Sequence, residues 1–209
     1  MTRKTLVVGI AGGSASGKTT FTAALVHALA IGSSLQVEVV PMDRYFYRGA
    51  PGGPVFTSPS TGESLPDNNH PNSADNARLV ADLDARCSEP NAPDVLIVEG
   101  LMALHLPEIR ERCDLRLFMD LDADIRALRR LIRDMNGGRG NTEPAWIATY
   151  YRECARVGHA SYVEPSRVYA DFQLRGDADF ARTAPMIATT LRAMKESPAP
   201  ASRTGSDAE

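Results

Sequence analysis

The chain is poor in the residues that build disulfide frameworks and metal cages. Cys87, Cys113 and Cys154 are odd in number, widely spaced and form no C-x-x-C pair. That pattern excludes a disulfide-stapled scaffold and fits unpaired thiols in a reducing compartment. His27, His105 and His159 have no metal-ligand spacing and read as incidental. There is no excess of positive charge. The net charge of −3 supplies no basic field to recruit nucleic acid. No run approaches the roughly 18 apolar residues that a membrane span needs. No internal repeat is visible. Near the N-terminus, strand-like apolar residues lead straight into a glycine-rich segment, so no leader is expected and a cytoplasmic location is.

The remaining material is ordinary for a globular α/β protein. The 209 residues are 43% hydrophobic and 23% charged, enough for a single domain with a sizeable core. The reading is one domain over residues 1–196. A tail at 197–209, rich in Pro, Ala, Ser and Thr, is expected to be disordered.

The most informative stretch is Gly12-Gly13-Ser14-Ala15-Ser16-Gly17-Lys18-Thr19, which fits G-x-x-x-x-G-K-[ST]. Backbone N–H groups of such a loop cradle phosphate oxygens, and the helix that follows points its positive dipole end at them. Lys18 would reach the β- and γ-phosphates of a nucleoside triphosphate, and the Thr19 hydroxyl would bind Mg²⁺. A buried strand is predicted before the loop. A helix with Phe21, Ala24, Leu25, Ala28 and Leu29 on one face is predicted after it.

Further strands are predicted at 35–41, 94–98, 114–119 and 169–174, with helices from about 75, 122–135, 143–163 and 184–194, the last capped by Thr183. Residues 49–71 read as loop. Alternation of this kind predicts an α/β fold of the P-loop NTPase type, three layers about a central parallel sheet. The site is expected at the carboxyl ends of the strands.

Two carboxylates stand at such ends. Asp43, after the second strand, suits a general base toward an attacking hydroxyl, or a Mg²⁺ partner through water. Glu99, after the third, suits a second Mg²⁺-associated acid. Tyr45 and Phe46 read equally as substrate-pocket walls or core aromatics. His70, at the end of the long loop, is a candidate pocket residue. The helix from Asp122 carries two stripes. Ile125, Leu128, Ile132 and Met135 are expected to face the core. Arg126, Arg129, Arg130 and Arg133 form a second face, with Arg139 just beyond. Stacked guanidinium groups call for an anion among them, such as a transferring phosphoryl group. With the glycines at 137, 138 and 140, this segment reads as a helical lid over about 122–142.

Taken together, these segments resemble the uridine kinase/phosphoribulokinase family of P-loop kinases. The resemblance runs over residues 5–176 and rests on 9–19, Met42-Asp43-Arg44-Tyr45-Phe46, Asn69-His70-Pro71, Val98-Glu99-Gly100, Arg129-Arg130-Leu131-Ile132-Arg133-Asp134, Tyr162-Val163-Glu164-Pro165-Ser166 and Tyr169-Ala170-Asp171. It implies transfer of a phosphoryl group from ATP, with Mg²⁺, to a hydroxyl of a small molecule, nucleoside or sugar-like. By position it implies Asp43 as base, with Lys18, Arg130 and Arg133 acting on the transferred group. Gly12, Gly13, Ser14, Ala15, Ser16, Gly17, Lys18, Thr19, Thr20, Arg129 and Arg139 would hold the nucleotide. Asp43, Tyr45, Phe46, Asn69, His70, Arg130 and Arg156 would face the acceptor, and Thr19, Glu99 and Asp43 the metal. A homo-oligomer fits such relatives; nucleic acid and membrane do not.

Departures from the family pattern bear on the acceptor. Uridine kinases usually carry a base-recognition hairpin before the Glu-bearing strand, and here residues 86–93 are too few for one. Asn69 stands where Asp usually precedes His-Pro, Asn141 ends an Arg-Gly-Arg pattern, and Tyr150 replaces a Gln. The nucleotide-handling parts are kept and the uridine-recognising parts depleted. A nucleotide-binding regulator without acceptor phosphorylation is the alternative. A GTPase switch ranks low, because Asn-Lys-x-Asp and Asp-x-x-Gly are missing.

Overall fold

In the computed structural model, residues 5–138 and 140–196 are described. Five parallel strands form the central sheet: β1 Leu6–Gly12, β2 Val37–Pro41, β5 Val95–Glu99, β6 Leu115–Asp120 and β7 Phe172–Arg175. Their order is β2-β5-β1-β6-β7, so β1 is central. It pairs in parallel with β5 on one side and β6 on the other. Every residue of β1 and β5 is buried, the signature of strands covered on both faces.

The strand period of two splits the core into two layers. Leu6, Val8 and Ile10 face α1 Lys18–Ala30 and α7 Phe180–Glu196, packing with Phe21, Leu25, Ile187 and Leu191. Val7 and Ala11 face the other way, toward Leu79 and Leu83 of α2 Asn76–Ser88 and Leu104 and Ile109 around α3 Pro107–Arg110. The result is a three-layer α/β sandwich with the crevice at the strands' carboxyl ends, where the chain leaves β1 between β5 and β6.

Three segments differ from the sequence expectation. Residues 49–71 hold an antiparallel hairpin, β3 Val55–Thr57 with β4 Ser64–Pro66. Its strands are three residues each, too short for periodicity to register. The stretch at 143–163 is a broken helix: α5 Pro144–Tyr150, a π-turn run Tyr151–Ala155, α6 Arg156–Gly158 and a second π-turn run His159–Val163. Thr183 lies inside α7, and Asp179 does the capping, accepting from Ala181 N at 2.9 Å. The expected tail at 197–209 lies outside the described residues. No helix among those described is long and apolar enough to cross a membrane.

Candidate active site

The loop after β1 has the geometry its glycines anticipate. Gly12, Ala15 and Gly17 have positive φ of 142°, 63° and 96°. At Gly13 a methyl group would crowd two side chains, since a Cβ would lie 2.6 Å from the Arg126 guanidinium and 3.0 Å from His159 Nδ1. Lys18 Nζ donates to Gly12 O at 2.9 Å and Gly13 O at 2.8 Å, which arches the loop over the start of α1. Beside it, Thr19 Oγ1 donates to Glu99 Oε1 at 3.1 Å and Thr22 Oγ1 to Glu99 Oε2 at 3.4 Å. Buried Glu99 thus presents a carboxylate against a hydroxyl at the helix start, an all-oxygen donor set suited to Mg²⁺. Among the described residues no cluster of three or more His, Cys, Asp or Glu is placed to hold a metal. Mg²⁺ characteristically takes one or two protein groups and completes its shell with phosphate and water.

Two cavities open here. The first, about 630 Å³, is lined by Ser14, Ala15, Gly17, Lys18, Thr19, Thr20, Glu99, Arg129 and Arg133, together with Gly176, Asp177, Ala178 and Phe180. The second, about 620 Å³, is lined by Phe46, Arg48, Asn68, Asn69, Arg130, Asp134, Asn141, Trp146 and Tyr150 among others. Four residues line both: Ser14, Asp43, Leu101 and Arg133. A carboxylate and a guanidinium therefore stand where one compartment meets the other.

The arginine helix, α4 Ala123–Met135, corrects the sequence reading. Ile125, Leu128, Ile132 and Met135 are 37 to 60% exposed, while Arg126 and Asp134 are buried. Part of the basic face turns inward where it finds partners: Arg126 is buried and Arg130 and Arg133 are part-buried, while Arg129 stays exposed. Arg126 Nε donates to Leu121 O at 2.9 Å, and Arg129 to Gly176 O at 3.0 Å. Asp134 accepts from Arg133 Nε at 2.8 Å and lies 3.3 Å from Arg130 Nε. Burial pulls the Arg130 pKa down, opposed by the Asp134 charge. Its guanidinium also sits 5.3 Å from the centroid of Tyr150.

Several expected residues face elsewhere. The tight 3₁₀ turn Met42–Tyr45 rotates Tyr45 away from Asp43, so its hydroxyl donates to Asp82 Oδ2 at 2.8 Å on α2. Burial first, and that carboxylate next, push its phenol up to about 12. Phe46, one residue on, does line the second cavity. His70 lines neither cavity. Its Nδ1 accepts from Asn72 N at 3.1 Å and its ring packs edge-on to Tyr162 at 5.4 Å. Arg156 is exposed on the outer side of the broken helix and lines neither cavity. Arg139 lies outside the described residues. Asn69 is buried and lines the second cavity, its amide donating to Cys154 Sγ at 3.2 Å.

Other site residues escaped the sequence reading. His159 packs on the phosphate loop. Burial, with the positive charges of Arg126, Lys18 and Arg167, holds its pKa down to about 4, so the ring is neutral, 3.3 Å from Glu164 Oε2. Gly176 approaches the loop so closely that a Cβ would lie 1.9 Å from Ser16 O. Its place just past the last strand was the available signal. Asp134 was visible four residues after Arg130, a spacing that pairs charges on one helix face.

Comparisons with known proteins identify the family and the fold. The model of the Phosphoribulokinase / Uridine kinase family matches residues 70–178. A protein named uridine kinase from Deinococcus deserti is 36% identical over 188 residues, covering 79% of this chain and 84% of its own. The chain belongs to the phosphoribulokinase/uridine kinase family. It is a kinase, an ATP-dependent phosphotransferase of the P-loop type. At the level of fold, a solved protein from Silicibacter sp. TM1040 matches with TM-score 0.59 at 20% identity, over 82% of this chain and 90% of its own. Shikimate kinase from Acinetobacter baumannii matches with TM-score 0.52 at 14% identity, over 93% and 96%. Residues 89–94, before β5, form a short turn and no hairpin.

Proposed function

We propose that this kinase transfers the γ-phosphoryl group of ATP, with Mg²⁺, to a hydroxyl of a small nucleoside or sugar-like acceptor. The observation that carries the reading is the pair Asp43 and Arg133, shared by the two cavities. ATP phosphates suit the first cavity, where the loop from Gly12 to Gly17, Lys18, Thr20 and Arg129 would bind them. Thr19 and Glu99 would hold Mg²⁺, which when bound neutralises charge on the phosphates. The acceptor suits the second cavity. Asp43 would take the proton of its hydroxyl, and Arg130 and Arg133 would offset the charge spread over the transferring group. The segment at 122–142 acts as the lid in this reading. Gly137 and Gly140, with positive φ of 77° and 64°, are its hinge positions.

Relatives named uridine kinase make uridine the first acceptor to test. The missing hairpin before β5 argues for a different or broader acceptor. Asp43 and Arg133 at the junction, with Glu99 lining the first cavity and Arg130 the second, favour turnover over a purely regulatory nucleotide site. The test is acceptor-dependent ADP release from Mg-ATP with uridine, cytidine, other nucleosides, pentoses and pentose phosphates. Turnover with one class identifies the acceptor. ATP binding with no turnover on any compound would contradict the proposal.

A further inference from the structure

The second cavity has an aromatic wall. Trp146, the chain's single tryptophan, stacks on Tyr150 with centroids 5.1 Å apart and planes 16° from parallel. Both rings line the cavity. Tyr150 is fixed from several directions. Its hydroxyl donates to Pro66 O of β4 at 2.9 Å, and the ring of Phe56 in β3 meets it edge-on at 5.6 Å. Just past β3, buried Ser58 donates to Glu153 Oε2 at 2.6 Å, tying the hairpin to the helix one turn beyond Tyr150.

Neither Phe56 nor Ser58 lines the cavity. Beyond the hairpin itself, their side chains meet the helix that carries Trp146 and Tyr150, and Pro66 of β4 lines the cavity directly. A two-stranded hairpin is marginal alone in water, so hairpin and helix hold each other in shape. The stacked pair forms an aromatic part of the cavity wall, and Asn68 and Asn69 line the same cavity. Such a surface suits a ring with one apolar face and polar groups at its edge. Both a nucleoside base and the C–H face of a sugar have that chemistry.

We propose that Trp146 is the stacking surface for the acceptor's ring, and that the β3–β4 hairpin is the specificity element that positions it through Tyr150. The inference rests on the kinase reading and deepens it. Phe56, Ser58 and Glu153 are then positioning residues, away from the reacting atoms.

Trp146 is its own reporter. Uridine, cytidine, D-ribose and D-fructose are titrated separately into the full chain without nucleotide, and the tryptophan emission is followed. The kinetic constants of the same compounds are measured with Mg-ATP. Phe56→Ala and Ser58→Ala are compared with Phe56→Tyr and Ser58→Thr, and with Glu153→Gln, a milder variant that keeps an acceptor atom. At least one compound is expected to change the emission, the nucleoside and sugar arms showing which ring is held. In the alanine variants its Kd and KM should rise about ten-fold, the scale of one lost aromatic or buried polar contact. The kcat and the KM for ATP should stay within about two-fold, and the conservative variants should restore binding. Emission that no ring moves overturns the inference. So does an equal Kd in all variants, or a KM for ATP that rises as much as that of the acceptor. A ring that binds in a hairpin-dependent way but is never phosphorylated supports the inference and defeats the kinase reading instead.

Discussion

Removing the carboxylate of Asp134 should separate what the arginine helix does for stability from what it does for chemistry. Asp134 is buried and contacts two guanidinium groups, Arg133 at 2.8 Å and Arg130 at 3.3 Å. Arg130 is only 14% exposed, so without its counter-charge it becomes an unpaired buried cation. Breaking a buried pair in this way costs about 3–5 kcal/mol. Arg133 is 32% exposed, and solvent screening limits its share to about 1 kcal/mol or less. A domain of this size loses about 2–4 °C per kcal/mol, so Asp134→Asn should lower the melting temperature by roughly 10 °C. At a temperature where the variant is still folded, kcat should fall about 10²-fold, because Arg133 loses the anchor that aims it at the cavity junction. The double variant Asp134→Leu with Arg130→Met replaces the buried charges by apolar groups of similar size. It should recover most of the stability and none of the activity. Differential scanning calorimetry and steady-state kinetics read both effects. An Asp134→Asn protein melting within a degree or two of the parent would refute the reasoning on burial. One that melts low yet turns over normally would refute the role assigned to Arg133.

Two further outcomes follow from the same geometry. His159 has a folded pKa of about 4, below the ordinary 6.5, so between those values the unfolded chain binds more protons. Its contribution to stability is complete above pH 6.5 and is lost as pH falls toward 4, at up to about 1.4 kcal/mol per pH unit. His159→Gln should therefore flatten the fall in melting temperature from pH 7 to pH 4.5; an unchanged slope would show that another group sets it. Gly176→Ala places a methyl group 1.9 Å from Ser16 O. The phosphate loop must shift, so the Kd for ATP measured by calorimetry should rise at least about ten-fold, whereas an unchanged Kd would show that the loop has slack there.

The fold was legible wherever local pattern and tertiary need coincide. The apolar runs before Gly12 and before Glu99 became the buried strands beside the site, because a strand covered on both faces must be apolar throughout. The phosphate loop was legible because its backbone geometry demands particular residues at fixed spacing. Helix α4 was misread because its sequence offers two stripes, and apolarity alone favoured Ile125, Leu128, Ile132 and Met135 for the core. Arg126 and Arg130 went inward instead, because the Leu121 carbonyl, Asp134 and the Tyr150 ring compensate their burial. The Tyr150 part of that compensation comes from a residue distant in sequence and leaves no local pattern. The hairpin was hidden for the same reason, since Phe56 and Leu65 pack on Tyr150 and Cys154 rather than repeating along their own strands. His159 lacked metal spacing and so looked incidental. Its place on the loop comes from the path of the broken helix, set by its π-turns.

The most direct test of the central claim is phosphoryl transfer by Asp43→Asn, measured in a single turnover with saturating Mg-ATP and the best acceptor. Asp43 stands at the junction of the two cavities and, on this account, takes the acceptor's proton. The expected result is a rate lower by about 10²- to 10⁴-fold with the Kd for ATP unchanged. A transfer rate equal to that of the parent protein would contradict the account and move the base elsewhere.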